Sequence, residues 1–96
     1  MKISAKQAKE MMDSGEPFIV LDARTQDEFK KRHIEGAVNI PHDAVKMRAG
    51  KELPDKNALI LVHCKSGGRS AVAVKELLKM GYTNVYDFGG LADWPY

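Results

Sequence analysis

The residues whose types and spacing could do chemistry lie in one short stretch, VHCKSGGRS, at residues 62–70. Cys64 follows an apolar run, and four residues, two of them glycines, separate it from Arg69. A cysteine thiolate is a strong nucleophile, and backbone N–H groups turned inward around glycines can hold an anion. The stretch therefore predicts a catalytic cysteine in an anion-binding loop made of Lys65, Ser66, Gly67, Gly68, Arg69 and Ser70.

The surroundings predicted for Cys64 favour its ionised form. A helix is expected to begin near Arg69–Ser70, and the amino terminus of a helix carries a partial positive charge. Lys65 and Arg69 add full charges. All of these lower the pKa of a thiol, so Cys64 needs no separate general base. A lone cysteine after an apolar strand is usually inert, but the combination of these features in one loop favours a reactive site.

His63 is adjacent to Cys64 but is not expected to serve as its base. Neighbouring side chains of a strand point to opposite faces, so His63 should pack beneath the loop and bond to backbone. His33 and His42 lack the spacing of a metal pair and are expected to be surface or capping residues. The sequence thus predicts neither a metal site nor a cofactor.

The elements that must position this loop alternate along the chain. Four short apolar runs predict strands, namely FIVLD (18–22), GAVNIP (36–41), ALILV (58–62) and NVYDF (84–88). Capping boxes, in which Ser4 is followed by Gln7 and Thr25 by Glu28, predict the start of two helices. Weak helical character follows from His42 to Lys51.

A stronger helix is predicted to run from Ser70 and to end at Gly81. Its expected inward face consists of Ala71, Val74, Leu77 and Leu78. Strands alternating with helices imply an α/β fold with a mostly parallel sheet and helices on both faces. Ligands of such sheets bind beyond the carboxyl ends of the strands, where Asp22, Cys64 and Gly89–Gly90 should meet.

The whole chain restricts the possible functions. Its 96 residues predict one domain over residues 1–96, and a net charge of +2 is too slight to indicate nucleic-acid binding. The single cysteine excludes an intrachain disulfide and a multi-cysteine metal site. No apolar run reaches membrane-spanning length. The stretch MKISAKQAKE has no apolar segment and no cleavage site, so we expect no secretory signal. We expect a cytoplasmic protein that binds neither nucleic acid nor membranes.

Three blocks in order resemble the signature blocks of the rhodanese, or sulfurtransferase, family. They are LDARTQDEFKKRHIEGAVNIP (21–41), VHCKSGGRS (62–70) and GYTNVYDFGGLADW (81–94). The last contains Gly89 and Gly90, followed by Trp94; we expect Gly90 and Trp94 to be structural. The chain departs from the family at Arg32, where glycine is frequent. Together with the alternating elements, the resemblance implies a small rhodanese-like domain with a central five-stranded sheet.

The resemblance also implies an activity. Cys64 is expected to take a sulfane sulfur from thiosulfate or a similar donor, become a persulfide, and pass the sulfur to cyanide, a thiol or a protein cysteine. On the same resemblance Asp22 and Arg24 lie under the rim of the site. We expect them to support the loop, with Asp22 accepting bonds from backbone or from Arg69, and Arg24 pairing with Glu28.

Two alternatives stay open at this point. Cysteine phosphatases have a similar loop, but theirs places one more residue between cysteine and arginine, and they need a carboxylic acid for the leaving group. No residue is marked for that role in this sequence. The domain could also act as a persulfide carrier or binding module for a partner protein, and the sequence does not separate that function from a free enzyme.

Overall fold

The structure is a computed structural model that describes all of residues 1–96. Its sheet has four parallel strands. The strands are β1 (Ile19–Asp22), β2 (Val38–Asn39), β3 (Ile60–Cys64) and β4 (Val85–Gly90), in the spatial order β2-β1-β3-β4. The prediction of five strands was wrong. Beside β4 there is one isolated parallel bridge, between Lys2 and Asp87, because the extended backbone there ends where Ser4 caps the first helix.

There are four α-helices, one before β1 and one in each connection between successive strands. They are α1 (Ala5–Asp13), α2 (Gln26–Lys31), α3 (Val45–Glu52) and α4 (Gly68–Lys79), with 3₁₀ turns at His42–Ala44 and Leu91–Asp93. Both predicted capping boxes are confirmed, since the Ser4 and Thr25 hydroxyls accept the N–H groups three residues later. None of the helices is long and apolar enough to cross a membrane.

The core is divided between the two faces of the sheet, because successive strand residues point in opposite directions. One cluster contains Leu21, Val62 and Cys64 and is covered by residues of α3 and α4. The other contains Val20 and Leu61, packed with residues of α1 and of the segment after β4. The helices thus lie on both faces, as predicted, and Cys64 ends a strand that is buried throughout.

Helix α4 begins earlier than predicted, and only half of its predicted inward face, Val74 and Leu77, is confirmed. It starts at Gly68 rather than Ser70. Its buried residues are Ser70, Ala73, Val74 and Leu77, which follow the spacing of a single helical face. The predicted inward positions Ala71 and Leu78 are exposed. The prediction counted apolar side chains alone, whereas a polar residue, Ser70, occupies the first position of the buried face.

Candidate active site

The carboxyl ends of three strands meet at one rim, as the alternation of elements predicts. Asp22 is the register partner of His63, and Cys64 is the partner of Gly90. The chain leaves β3 at Cys64 and enters α4 four residues later, at Gly68. The loop that follows the nucleophile candidate is therefore held between β1 and β4.

The Cys64 sulfur lies at the centre of this loop. Its Sγ accepts the N–H of Gly67 at 2.9 Å and lies 3.4 Å from the Ser70 hydroxyl oxygen. Gly67 has a φ of 105°, a left-handed conformation that favours glycine, and directly precedes α4. This turn directs the Gly67 N–H toward the sulfur and sets the helix amino terminus beside it. Cys64 itself is fully buried.

Burial and hydrogen bonding act in opposite directions on Cys64. Burial alone raises the pKa of the thiol, but the Ser70 hydroxyl and the N–H groups of Ser70, Gly67 and Ser66 together outweigh it. The net result is a pKa below the ordinary value for cysteine, in the direction that the sequence predicts. Hydrogen-bond donors of the loop are therefore a main cause of thiolate stabilisation.

Asp22 accepts a backbone bond, as predicted, from the Arg24 N–H at 3.0 Å, and none from Arg69. The predicted pairing of Arg24 with Glu28 was wrong. The Arg69 guanidinium binds both oxygens of Glu28, at 2.7 and 3.0 Å. This hydrogen bond, followed by one from the Thr25 N–H, lowers the pKa of Glu28 to about 2. Glu28 thereby ties the start of α4 to α2.

Arg24 instead folds back on Asp22, two residues before it. Its Nε donates to Asp22 Oδ1 at 3.0 Å and its Nη2 to Oδ2 at 2.7 Å. The same Nη2 donates to the Arg32 carbonyl at 2.6 Å, which fixes the end of α2. Both side chains are buried, and no contact links either of them to the Cys64 sulfur. This arrangement supports the predicted scaffolding role.

His63 lies on the opposite face of β3 from the sulfur, as predicted. Its ring packs against Phe88 with 5.2 Å between centroids, and Nδ1 is 3.3 Å from the Cys64 carbonyl oxygen. Burial lowers the pKa of His63, and the carboxylate of Asp22, 3.7 Å from Nε2, only partly opposes this. A neutral histidine facing away from the sulfur is a packing residue. The other two histidines are also as predicted: His33 bonds the Phe29 carbonyl through Nδ1, and His42 begins a 3₁₀ turn.

Sequence reasoning missed Asp87, which joins the site from β4. Its carboxylate oxygen Oδ1 accepts the Ser70 hydroxyl at 2.8 Å and the Gly89 N–H at 2.9 Å. The available signal was a lone carboxylate within the apolar run NVYDF. Because charged side chains are rarely buried without a partner, such a residue in a predicted strand indicates a specific contact.

Gly90 brings the backbone of β4 against the loop. A Cβ atom at this position would lie 2.3 Å from the Lys65 carbonyl oxygen. Only glycine allows this approach, so Gly90 sets how deep the loop sits. Trp94 is buried and packs against Phe88 at 5.1 Å between centroids, which agrees with its predicted structural role.

A depression of about 350 Å³ opens beside the loop. It is lined by Arg24, Glu28, Lys31, Arg32, Lys65, Leu91 and Ala92. Glu28 is neutralised by Arg69, and no carboxylate pairs with Lys31, Arg32 or Lys65. The depression is thus positively charged. A larger one, of about 530 Å³, contains none of the residues 64–70 and is not suited to substrates of Cys64.

Comparison with known proteins agrees with this geometry. The Rhodanese-like domain family model matches residues 4–95. The chain is 41% identical over 73 residues to thiosulfate sulfurtransferase PspE of Escherichia coli K12, covering 76% of this chain and 70% of that protein. It is 37% identical over 102 residues to thiosulfate sulfurtransferase 18 of Arabidopsis thaliana, covering 94% and 74% respectively.

Comparison with solved structures leads to the same family. A solved structure described as a rhodanese with anions from E. coli superimposes with a TM-score of 0.76 and 39% identity, over 80% of this chain and 91% of that one. The matched residues include β1, the loop after Cys64 and β4, which together build the rim. The chain therefore belongs to the rhodanese-like domain family of sulfurtransferases.

Proposed function

We propose that this protein is a thiosulfate sulfurtransferase-like enzyme that carries a sulfane sulfur as a persulfide on Cys64. The observation that carries the proposal is the approach of the Gly67 N–H to the Cys64 sulfur itself, at 2.9 Å, at the amino terminus of α4. Four residues between Cys64 and Arg69 make a cradle that is centred on one sulfur atom. Inward N–H groups of this kind stabilise an anion on sulfur before and after transfer.

The reaction proceeds in two displacements. In the first, the Cys64 thiolate attacks the outer sulfur of thiosulfate; a new S–S bond forms, the S–S bond of thiosulfate breaks, and sulfite leaves with the electron pair. In the second, an acceptor nucleophile attacks the outer sulfur of the persulfide, and the Cys64 thiolate leaves. One covalent intermediate between two half-reactions gives ping-pong kinetics.

The charge around the site suits an anionic donor. Lys31, Arg32 and Lys65 surround the depression beside the loop without carboxylate partners. Focused positive charge raises the local concentration of an anion such as thiosulfate. Because Cys64 has no exposed surface in this structure, groups that cover the sulfur must move before the donor reaches it.

Sulfur transfer is favoured over phosphate-ester hydrolysis by two further contacts. The Arg69 guanidinium is bound to both oxygens of Glu28, so it is not free to clamp a phosphoryl group. A phosphatase also needs a carboxylic acid to protonate the leaving group. Asp87 is connected to the Cys64 sulfur through the Ser70 hydroxyl, and its side chain is buried. It is therefore not placed to protonate a leaving group.

A panel of donors and acceptors tests the proposal. Thiosulfate, mercaptopyruvate and a protein persulfide are each paired with cyanide, glutathione and a thioredoxin-like protein, and aryl phosphates are assayed alongside. We expect thiosulfate to support transfer to cyanide or thiols, with no turnover of aryl phosphates. Transfer to a protein acceptor alone assigns the domain to sulfur carriage for a partner. Efficient aryl-phosphate hydrolysis without sulfur transfer from any donor overturns the proposal.

A further inference from the structure

Asp87 is a buried carboxylate that neither displacement step uses. It is 2% exposed, and its Oδ1 accepts the Ser70 hydroxyl at 2.8 Å and the Gly89 N–H at 2.9 Å. Its Oδ2 is buried without any hydrogen-bond partner. Burying a carboxylate oxygen without a partner costs free energy. A buried Asp87 with an unpaired Oδ2 therefore indicates that its other oxygen, Oδ1, has a specific role in the site.

The Ser70 hydroxyl connects Asp87 to the nucleophile. Its oxygen lies 2.8 Å from Asp87 Oδ1, 3.0 Å from the Gly67 carbonyl oxygen and 3.4 Å from Cys64 Sγ. A serine hydroxyl has one proton and donates it to one acceptor at a time. The shortest distance and the charge of the acceptor both favour Asp87. The proton that could stabilise a Cys64 thiolate is therefore drawn toward β4.

We propose that Asp87 is a positioning residue for sulfur transfer, which competes with the Cys64 sulfur for the Ser70 hydroxyl proton and limits how tightly the loop holds negative charge on that sulfur. No bond is made or broken at Asp87; only the direction of one hydrogen bond changes. A less tightly held thiolate is a stronger nucleophile toward the donor, and this consequence rests on the proposed sulfur-carrying function of Cys64.

Other charged groups lie around the loop and must be held constant. Those on the packed elements are Asp22 and Arg24 of the β1 end, His63 of β3, Lys65 of the loop, Arg69 with its partner Glu28, and Lys2 beside β4. Replacing Asp87 by asparagine keeps the shape of the side chain and leaves all of these in place. A change in the titration of Cys64 between the two proteins then reports on Asp87.

The test is the rate at which Cys64 reacts with a neutral disulfide, measured as a function of pH. Asp87→Asn should move the midpoint of this pH profile down by about one to two pH units. This is the size expected when one negative charge, separated from the sulfur by the Ser70 hydroxyl, is removed. The plateau rate of this variant at high pH should fall roughly threefold to tenfold, because a better stabilised thiolate is a weaker nucleophile. Ser70→Ala should move the midpoint up, because the sulfur loses the share of the Ser70 hydroxyl proton that Asp87 leaves to it. In the Ser70→Ala background, Asp87→Asn should produce a smaller shift.

A purely structural role for Asp87 predicts none of these shifts in a folded variant. Should Asp87→Asn fail to fold, Asp87→Ser takes its place with the same expectations, since it keeps an acceptor for the Gly89 N–H without the charge. An unchanged or raised midpoint in a folded Asp87 variant overturns the proposal. The readout needs no sulfur transfer: a lowered midpoint without persulfide formation rejects the proposed function alone, and persulfide formation with an unchanged midpoint rejects the role of Asp87 alone.

Discussion

Replacing Gly90 by alanine tests whether the backbone of β4 sets the position of the Cys64 loop. The added Cβ would lie 2.3 Å from the Lys65 carbonyl oxygen, 3.0 Å from the Lys65 carbonyl carbon and 3.0 Å from Ser66 Cα. All three are backbone atoms, so the loop has to move outward by about 1 Å to regain ordinary contact distances. Gly90 has a φ of −98°, which alanine adopts freely, so the effect is steric.

The expected cost falls mainly on the chemistry. A displacement of about 1 Å in a reacting group typically reduces the rate by roughly a hundredfold. The overpacking itself should cost about 1–3 kcal/mol of unfolding free energy. As the Gly67 N–H moves away from the sulfur, the thiolate loses a donor, and the pH midpoint of Cys64 alkylation should rise.

The assay is single-turnover loading of sulfur from thiosulfate, followed by intact mass, with thermal unfolding and alkylation on the same samples. Gly50→Ala is the matched control: it lies in α3, outside the loop, at an ordinary φ, and its Cβ meets no atom within 4 Å. We expect the control to load sulfur at the wild-type rate. If folded Gly90→Ala also does so, the contact between β4 and the loop does not position the site.

Two further predictions follow from charges around the loop. Lys65→Ala should slow sulfur loading from thiosulfate by about tenfold at low ionic strength and by less at high salt. Loading from a neutral persulfide donor should stay unchanged. Equal losses with both donors assign Lys65 to loop structure instead. The pKa of Glu28 is lowered from 4.5 to about 2, first by Arg69, so the pair stabilises the fold above pH 4.5 and this contribution is lost as the pH falls through about 2. Glu28→Gln should therefore lower the free energy of unfolding at neutral pH, by at most about 1 kcal/mol for a partly exposed pair, and should match the wild type below pH 2. Thermal unfolding of both proteins across pH measures this difference. A difference that stays constant over that range contradicts the ion-pair explanation.

Features that depend on neighbouring residues in the sequence were predictable. The capping boxes at Ser4 and Thr25 need only a residue and its partner three positions later. The rim also follows from the sequence, because parallel strands that alternate with helices bring Asp22, Cys64 and Gly90 to the same edge. The placement of the loop required no knowledge of packing.

Features that depend on distant partners were not predictable. Glu28 and Arg69 are 41 residues apart in sequence. Glu28 was predicted to pair with Arg24 instead, because these two residues are close in sequence. The buried face of α4 was only half right, because Ser70 is polar and its hydroxyl is paired inside the fold with the Gly67 carbonyl and with the distant Asp87. The fifth strand, which the family resemblance implied without a position, is reduced to one bridge between Lys2 and the distant Asp87. Each of these is decided by a tertiary contact that no short pattern encodes.

The most direct test of the central claim is the intact mass of the protein after exposure to thiosulfate without an acceptor. The first displacement needs no acceptor, so the wild type should gain the mass of one sulfur atom and lose it again when cyanide or a thiol is added. Cys64→Ser should gain nothing. A wild-type mass that thiosulfate leaves unchanged, or the same adduct on Cys64→Ser, contradicts the persulfide on Cys64.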